Sequence, residues 1–361
     1  MLSVFTRFFP PPSYVQMPAF GIDFTDRTAR FVQLAEKRGA FQLGVYGAIA
    51  LPEGAIVGGE IKDAHALSVA LNNTRHKFPA RHVIATLPEE RTYLTLLQLP
   101  DMRQEELRVA VESELAEHIP IPPGEAVYDF ELQPVDLFGK RHRDVIVSAA
   151  PRRLVEDYRD ALCAAGLLPL AFEVETHAVA RAVVARNEER AVLVVNLGET
   201  RTSIAVVLGT QVRFAATLAL GGSGFDTLLT KTFGDEGRTL ALASVPDREK
   251  VSSEPKKIFT ALLPQLSAIK DEIGAHIRFW DTQRKQHTEA TVSTVLLAGS
   301  YAHVFGLEEY LSYQLALPVR IANPWVNITD FSDLVPELHA RDAATFAAAI
   351  GLAMRGARYI S

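Results

Sequence analysis

The sequence is almost free of cysteine, because Cys163 is the one thiol among 361 residues. A single cysteine can form neither an internal disulfide bond nor a thiolate metal cluster, so disulfide-stabilised folds and cysteine-ligated zinc sites are excluded. Cys163 stands in an apolar stretch of helical character, 160–165. We therefore expect it to be a small core residue of a protein in a reducing compartment.

The sequence also lacks a long apolar run and an excess of positive charge. A membrane-spanning helix needs about 18 consecutive apolar residues, and the longest candidate, 343–354, stops at Arg355. Lysine and arginine total 37 against 43 aspartates and glutamates, a net charge of −6, which supplies no broad positive surface for nucleic acid. We expect a cytoplasmic protein without a nucleic-acid partner.

The first nine residues allow two interpretations. Phe5, Phe8 and Phe9 alternate with polar residues beside Arg7, a composition typical of a short amphipathic foot on a membrane surface. The same residues are compatible with a poorly ordered tail, and the prolines at 10–12 end any helix there. A signal peptide is disfavoured, because no long apolar core precedes a small-residue cleavage site.

A hairpin pattern occurs twice in the chain. Residues 20–24 and 28–34 alternate between apolar and polar on either side of a polar turn, which predicts two half-buried strands. Residues 191–198 and 202–208 repeat this pattern around a second polar turn. Two similar halves that face each other enclose a cleft, so the sequence predicts an α/β protein built from two related halves.

Between the two hairpins, residues from 81 to about 175 predict the order strand, strand, helix, strand, strand, helix, strand. The first of these helices is the clearest, because apolar residues recur every four positions from Leu107 to Ile119. Such an order is typical of a compact α+β module. The second half continues with a strand at 211–218 and a long helix that begins near Lys256.

Several separated segments resemble PilM, a family of type IV pilus assembly proteins, and the wider actin, FtsA and heat-shock chaperone group. The segments are 21–25 and 195–200, similar to the two phosphate hairpins; 172–182, similar to the helix start that faces the γ-phosphate; 297–302, similar to the adenosine turn; and 305–311, 318–324 and 349–355. The module from 81 to 166 looks like the small subdomain that PilM shares with FtsA. The resemblance implies an actin-like ATPase fold, with two related ribonuclease-H-like halves around a cleft and a small inserted α+β subdomain.

The resemblance also implies a division of the chain. The expected parts are an N-terminal tail (1–18), a first half (19–80), an inserted α+β subdomain (81–170), a connecting helix of the first half (171–190), a second half (191–330) with a helical insertion at about 235–290, and a C-terminal helix (331–361) that returns to the first half.

A pocket for ATP with Mg²⁺ between the halves is a further implication of the resemblance. Its residues would be Asp23, Thr25, Asp26, Arg27 and Thr28 of the first hairpin, Asn196, Gly198, Glu199, Thr200 and Thr202 of the second, Gly221 and Gly222 before the next helix, and Gly299, Ser300 and Tyr301 of the adenosine turn. Asp23 and Asn196 would hold Mg²⁺ through water. Glu175 would be the catalytic residue, orienting an attacking water.

This pocket departs from the family pattern in three places. The turn from Thr25 to Thr28 replaces one rich in glycine and serine, which lets a phosphate approach the backbone closely. Asn196 stands where the family has an aspartate, so one negative charge of the metal site is missing. Ser300 replaces the second glycine of the adenosine turn, and Tyr301 after it can either crowd the base or stack on it.

Three polar side chains also have a structural alternative. Asp23 can brace its own turn, as aspartate commonly does. Glu175 can be a plain helix N-terminal acid, which the helix dipole favours. His177 is assigned to packing or to the surface, because a lone histidine without Cys, His or Asp at ligand spacing is no metal site.

Two functions follow from the resemblance. The first is a scaffold, peripheral at the cytoplasmic face of the inner membrane, that binds the N-terminal cytoplasmic tail of PilN, reaches PilO through PilN and couples PilN to the pilus motor ATPase, with weak or degenerate nucleotide binding. The second is an enzyme of the same fold, either an active ATPase or a small-molecule kinase. The substitutions at Thr25, Asn196 and Ser300 favour the scaffold, with at most a slow ATPase activity.

Overall fold

The computed structural model describes residues 18–37, 40–132, 142–234, 255–283, 290–328, 336–338 and 340–358. Its strands are β1 (Ala19–Phe24), β2 (Thr28–Lys37), β3 (Ala40–Ala50), β4 (Ile56–Val57), β5 (Glu60–Ile61), β6 (His82–Leu87), β7 (Tyr93–Pro100), β8 (Ala126–Leu132), β9 (His142–Pro151), β10 (Leu168–Val174), β11 (Ala191–Leu197), β12 (Thr202–Leu208), β13 (Gln211–Leu218), β14 (Val292–Ala298) and β15 (Val319–Ile321). Its helices are α1 (Ala64–Asn73), α2 (Gln104–His118), α3 (Arg152–Ala164), α4 (Glu175–Val183), α5 (Ser223–Phe233), α6 (Pro255–Gln283), α7 (Leu307–Leu315), α8 (Ala340–Thr345) and α9 (Ala347–Arg358). The predicted order of elements from 81 to 175 is confirmed.

Two five-stranded sheets have the same strand order. The first runs β3-β2-β1-β6-β10 and the second β13-β12-β11-β14-β15. In each sheet three strands form an antiparallel meander and the last two strands run parallel to the centre strand. The centre strands β1 and β11 are apolar and buried over nearly their whole length, as expected of strands covered on both faces. The two related halves predicted from the repeated hairpin are confirmed.

A separate three-stranded sheet, with the order β7-β9-β8, belongs to the inserted module. Helix α2 covers one face of this sheet, because its buried side chains Leu107, Val111 and Leu115 pack against Val145 and Val147 of β9. The four-residue spacing places these leucine and valine side chains on one side of the helix. The module therefore has a small core of its own.

The boundaries of this separate sheet differ from the expected interval 81–170. The sheet extends from Tyr93 to Pro151, whereas β6 and β10 at the two ends of the interval pair in the first sheet beside β1. Helix α3 also packs into the core of the first half. These apolar elements complete the sheet of the first half, so the module is inserted between them.

Helices α4 and α9 pack against each other at the first half. A Cβ atom on Gly351 of α9 would come within 1.8 Å of the Ala178 carbonyl oxygen of α4. A Cβ on Gly21 of β1 would lie 2.3 Å from the Ala349 carbonyl oxygen. Only glycine permits such close approaches. Helix α9 is thereby held against β1 and α4, and its first turn reaches the space between the halves.

Cys163 corrects one prediction, because its side chain is exposed and does not belong to the core. Helix α3 directs Leu154, Tyr158 and Leu162 inward. Each residue turns the helix by about 100°, so the residue after Leu162 points away from the face that these side chains share.

Parts of two predicted segments lie outside the described residues: residues 1–17 of the N-terminal tail, and residues 235–254 and 284–289 of the helical insertion. Among the helices that the structure describes, none is long and apolar enough to cross a membrane.

Candidate functional site

A cavity of about 240 Å³, called the cleft below, lies where the two halves meet. The two hairpins, the turn after β14 and the junction of α8 and α9 surround it. Its lining residues are Asp23, Thr25, Thr28, Arg30, Glu175, Asn196, Gly198, Glu199, Gly299, Ser300, Tyr301, Ala344, Thr345, Ala347 and Ala348. The fold thus brings together most of the residues that the sequence predicted for a ligand site.

The turn between β1 and β2 is closed by its own hydrogen bonds. The Thr25 N–H donates to the Thr28 carbonyl oxygen at 2.8 Å, and the Thr28 N–H donates to Thr25 Oγ1 at 3.0 Å. Asp26 accepts hydrogen bonds from the N–H groups of Gly58 and Gly59 at 3.0 and 3.1 Å. Asp26 therefore braces a neighbouring loop and does not line the cleft.

The second hairpin is closed in the same manner. The Gly198 N–H donates to the Arg201 carbonyl oxygen at 2.9 Å, the Gly222 N–H to the Gly198 carbonyl oxygen at 2.9 Å, and the Ser223 N–H to the Glu199 carbonyl oxygen at 2.7 Å. Free N–H groups at a helix start favour anion binding. Here carbonyl groups of the hairpin occupy the N–H groups of Gly222 and Ser223 at the start of α5.

Three further predicted residues support the turns from outside the cleft. The Thr202 hydroxyl is buried and donates to the Leu220 carbonyl oxygen at 2.7 Å. A Cβ on Gly221 would lie 2.3 Å from the Thr200 carbonyl carbon, so this glycine lets the chain pass directly behind the hairpin tip. Thr200, Thr202 and Gly221 hold the hairpin in place and are absent from the cleft lining.

Asp23 and Glu175 are the two carboxyl groups deepest in the cleft. Thr86 Oγ1 donates to Asp23 Oδ1 at 3.0 Å, and burial raises the pKa of Asp23 despite the opposing charge of Arg30. Asn196 Nδ2 donates to Glu175 Oε1 at 2.6 Å. Burial, followed by the charges of nearby carboxylates with Asp23 foremost, raises the pKa of Glu175 well above its ordinary value. Both groups are thus held toward their neutral forms.

Glu89 is a third buried carboxyl group, and the sequence analysis missed it. It accepts a hydrogen bond from the Thr176 N–H at 3.3 Å and another from the Thr176 hydroxyl, so it caps the start of α4. Burial raises the pKa of Glu89 to about 7. Its neighbours Glu90 and Arg91 give the segment the look of a solvated charged turn, which is why the sequence offered no signal.

Within the described ranges, side chains of the two halves form hydrogen bonds or ion pairs across the cleft at four places. The pairs are Arg27 Nη1 with Glu199 Oε1 at 2.8 Å, Arg201 Nε with Glu90 Oε1 at 3.2 Å, Arg30 Nη2 with Ser300 Oγ at 3.1 Å, and Asn196 Nδ2 with Glu175 Oε1 at 2.6 Å. In each pair one residue belongs to the first half and the other to the second. The two walls of the cleft are therefore joined by the chain itself.

The turn after β14 forms the remaining wall. Gly299 has a φ of +89° and lies so close to β11 that a Cβ would meet the Leu197 carbonyl oxygen at 2.4 Å. The ring of Tyr301 is buried, its hydroxyl donates to Asp226 Oδ2 at 2.6 Å, and it lies 2.1 Å from where a Gly222 Cβ would stand. Tyr301 is thus packed against α5, an arrangement that favours crowding of a nucleotide base over stacking on it.

Arg30 is a cleft residue that the sequence analysis missed, although the hairpin contained a signal for it. The hydrogen bond between Thr25 and Thr28 closes a two-residue turn, and in that register Asp23 stands opposite Arg30. Side chains directly opposite each other on antiparallel strands are neighbours. Counting outward from the turn would have placed a guanidinium beside the predicted metal ligand.

A second and larger cavity, of about 440 Å³ and called the module cavity below, lies beside the inserted module. One wall is the face of the three-stranded sheet that α2 leaves uncovered, which includes Val127, Asp129, Ile146 and Ser148. The opposite wall comes from β10, α4 and α9 of the first half, and the start of β13 adds a third side. The sequence analysis did not predict this cavity, because its walls come from segments far apart in the chain.

A group of charged side chains lies on the first-half wall of the module cavity. Glu173 is 7% exposed and is paired with Arg181, which donates to it at 2.9 Å and through a second N–H, and with Arg355 at 3.3 Å. Burial raises the pKa of Glu173, but the hydrogen bonds and charge of Arg181 and the charge of Arg355 outweigh it, so its pKa lies below the ordinary value.

His177 lies on helix α4, four positions after Glu173 of β10 and four positions before Arg181. Its Nε2 atom is buried and has no hydrogen-bond partner among the described residues. Burial lowers the pKa of His177, so its ring is neutral near pH 7. The prediction that His177 belongs to packing or to the surface left out its place on a cavity wall.

A comparison with known protein families identifies the family to which this fold and these sites belong. Residues 21–357 match the family described as type IV pilus assembly protein PilM. The chain belongs to the PilM family. The matched range contains the module, all lining residues of the cleft and of the module cavity, and both sheets except the first two residues of β1. The PilM affiliation predicted from separated segments is confirmed.

Solved structures with the same fold include a PilM relative and a protein from another system. A PilM–PilN type IV pilus biogenesis complex is 24% identical with a TM-score of 0.76, and the match covers 94% of this chain and 99% of that chain. The ethanolamine utilization protein EutJ of Carboxydothermus hydrogenoformans is 15% identical with a TM-score of 0.55, over 93% of this chain and 89% of that chain. The predicted actin-like ATPase fold is confirmed.

Proposed function

We propose that this member of the PilM family is a binding scaffold of type IV pilus assembly that takes the N-terminal tail of PilN into the module cavity. The observation that carries the proposal is the cavity itself, with a volume of about 440 Å³ that falls in the usual range of ligand sites. A PilM–PilN complex with the same fold makes PilN the partner to test first.

The module cavity suits an extended peptide. Strand β8 lies at the edge of the module sheet and pairs only with β9 among the described strands. An extended segment can add main-chain hydrogen bonds to such an edge, while its alternate side chains enter the adjoining space. The uncovered sheet face offers both apolar and polar neighbours, Val127 and Ile146 beside Asp129 and Ser148.

Polar groups on the first-half wall support the same proposal. His177 Nε2 is buried without a partner among the described residues, and an unpaired buried polar atom is costly. A docked main chain offers both N–H and carbonyl groups that can satisfy this ring nitrogen. The Glu173–Arg181 pair beside it gives the site a charged end that can orient the tail.

The cleft supports weak or degenerate nucleotide binding. The chain itself occupies the N–H groups of Thr25, Gly198 and Gly222, which a phosphate would need. The predicted Mg²⁺ ligands fit poorly, because Asn196 carries no charge and Asp23 is held toward its neutral form by burial. We therefore infer that Mg²⁺ with ATP is not a tightly held cofactor of this chain.

The alternative of an active ATPase or a small-molecule kinase has less support. Glu175, the predicted catalytic residue, has its pKa raised well above the ordinary value by burial and by nearby carboxylates. Its Oε1 atom also accepts a hydrogen bond from Asn196 at 2.6 Å, so the chain itself takes up part of its capacity to orient an attacking water. Within the described residues, no group of three or more His, Cys, Asp or Glu side chains is arranged to hold a metal ion.

A peptide-binding measurement tests the scaffold proposal. The probe is a fluorescein-labelled synthetic peptide of the PilN tail from the same genome, titrated with the full chain and followed by fluorescence anisotropy. Ser148→Trp places a large ring on the uncovered sheet face and is expected to weaken binding at least ~30-fold. Val109→Trp is the matched control, because Val109 is 67% exposed on the outer side of the module.

Two outcomes would contradict the proposal. Equal affinity of Ser148→Trp and the wild type would place the tail elsewhere, and no binding by the wild type would reject PilN as the partner. Coupling to the pilus motor ATPase, contact with PilO through PilN and peripheral attachment to the inner membrane belong to the same proposal. The test is co-purification: the motor ATPase, PilO and inner-membrane material are expected to co-purify with the wild type and to be lost with Ser148→Trp.

A further inference from the structure

An ion pair on the solvent side of the cleft joins the tips of the two hairpins. Arg27 and Glu199 approach to 2.8 Å, with side-chain exposures of 62% and 25%. Glu199 lines the cleft, whereas Arg27 lies at its rim. A ligand placed between the hairpins would meet this pair before it reached Asp23 and Glu175 below.

We propose that Glu199 is an internal substitute for a phosphate group, and that the Arg27–Glu199 pair gates the cleft against polyphosphate ligands. A guanidinium binds carboxylate and phosphate oxygens through the same N–H geometry. Glu199 therefore holds the cation that a phosphate would otherwise bind. An entering polyphosphate must displace the Glu199 carboxylate and take over Arg27.

The surrounding contacts hold Glu199 at this place. The N–H of Ser223 donates to the Glu199 carbonyl oxygen at 2.7 Å, so the start of α5 fixes the hairpin tip. Two positions further along the same hairpin, Arg201 forms an ion pair with Glu90 of the first half, at 3.2 Å. Hydrogen bonds and ion pairs within the chain thus hold the two hairpin tips together without a ligand.

The energetics of the pair fit a gate better than a permanent lock. A partly exposed ion pair contributes modestly, equivalent to about fivefold at most in an equilibrium constant. A polyphosphate with several charges can compete with one carboxylate at that level. The carboxyl groups below still disfavour an anion, so removal of the gate alone is expected to improve binding only a few-fold.

The first test is calorimetric titration of ATP with Mg²⁺ into the full chain. Glu199→Gln keeps the shape of the side chain, removes its charge and is expected to bind ATP about 3- to 5-fold more tightly than the wild type. Glu188→Gln is the matched control, because the Glu188 carboxylate faces Arg190 at 3.8 Å and does not line the cleft. Its affinity is expected to equal that of the wild type.

A double-mutant cycle separates gating from simple charge repulsion. In a chain that carries Arg27→Gln, the added Glu199→Gln is expected to give no gain, because there is no cation left to release. An equal gain with and without Arg27 would mean repulsion alone and would overturn the proposal. No gain in Glu199→Gln, or no detectable ATP binding by either protein, would overturn it as well.

Hydrogen exchange gives a readout that needs no ligand. Glu199→Gln is expected to exchange backbone amides faster at 24–28 and 198–202, with a urea midpoint lowered by no more than the loss of one partly exposed ion pair. Unchanged exchange at both hairpins would contradict the gate. Binding of the PilN tail peptide by Glu199→Gln is expected to match the wild type, so the gate and the scaffold proposal can fail separately.

Discussion

The cleft and the module cavity differ in whether the polar groups of their walls have partners within the chain. In the cleft, side chains of the two halves pair with each other, as Arg27 with Glu199 and Asn196 with Glu175. In the module cavity, His177 Nε2 is buried without a partner among the described residues. A site whose polar groups are paired internally has less to gain from a ligand. This contrast is the reason for proposing the module cavity, and not the cleft, as the principal binding site.

The two sites also differ in their electrostatics, although both contain buried carboxyl groups. In the cleft, burial raises the pKa of Asp23 and Glu175. Arg30, the single cation among the described residues that line it, does not reverse the shift for Asp23. In the module cavity, two arginines lower the pKa of Glu173 in spite of its burial. Burial alone does not decide the charge of such a group, because hydrogen bonds and charges from neighbouring side chains can outweigh it.

The largest expected effect concerns the buried pair of the module cavity. Arg181→Met keeps much of the side-chain volume but leaves Glu173 with Arg355 as its remaining cation, and is expected to lower the free energy of unfolding by about 3 kcal/mol. Urea denaturation measures it. The control is Arg153→Met, whose partner Asp157 is 3.8 Å away and whose side chain is 92% exposed. Equal free energies of unfolding for the two variants would contradict the expectation that the buried pair stabilises the fold more than the exposed pair.

A pH series tests the carboxyl groups behind the cleft. Since the pKa of Glu89 is raised to about 7, the folded state binds more protons than the unfolded state between pH 4.5 and 7, so stability falls as pH rises through that window. Glu89→Gln removes the titrating group. The wild type is expected to lose about 2 kcal/mol more than this variant between pH 5 and 7.5.

Glu53→Gln, at an exposed loop position, serves as the control for that series. It is expected to follow the wild-type curve. Parallel curves for Glu89→Gln and the wild type would show that Glu89 does not titrate in this range.

An acidic residue at position 196 probes the cleft directly. Asn196→Asp replaces the amide donor that lies 2.6 Å from Glu175 by a carboxylate, and is expected to cost about 1.5 kcal/mol at pH 8 without divalent cations. Thermal melts with 10 mM Mg²⁺ are expected to recover part of this loss, because the cation can bridge the two acids. Asn187→Asp, at an exposed position, should show neither effect; no Mg²⁺ response in Asn196→Asp would argue against a latent metal site.

The smallest expected effect belongs to the rim of the cleft. Arg27→Ala breaks a pair whose arginine is 62% exposed, so the free energy of unfolding is expected to fall by less than about 1 kcal/mol. Urea denaturation in low and high salt checks the value and its screening. A loss above about 2 kcal/mol would mean that the rim holds the halves together more strongly than the cavity comparison allows.

Much of the fold was predictable because its signals are local. The alternation at 20–24 and 28–34 predicted β1 and β2, and its repeat predicted β11 and β12. Apolar residues four apart predicted α2 and the side that it buries. The gathering of Asp23, Asn196 and Gly299 around one space followed from the resemblance, and the structure places all three in the cleft lining.

The exposure of Cys163 and the orientation of Asp26 were not predictable from the same signals. Both lie in segments whose secondary structure was predicted correctly, so the error concerns the side chain's direction. Asp26 turns toward Gly58 and Gly59 because their N–H groups lie within reach, and these residues stand about thirty positions further along the chain. A local pattern cannot report which distant groups will be close.

By itself, the sequence determined the two related halves, the order of the elements in the module and the family, because periodicity and segment order are properties of neighbouring residues. The tertiary structure alone decided that Glu199 faces Arg27 across 172 positions of chain, that Glu89 caps α4, and that a cavity of about 440 Å³ lies beside the module. These features depend on the packing of sheets against one another, which sets distances between side chains that are remote in sequence.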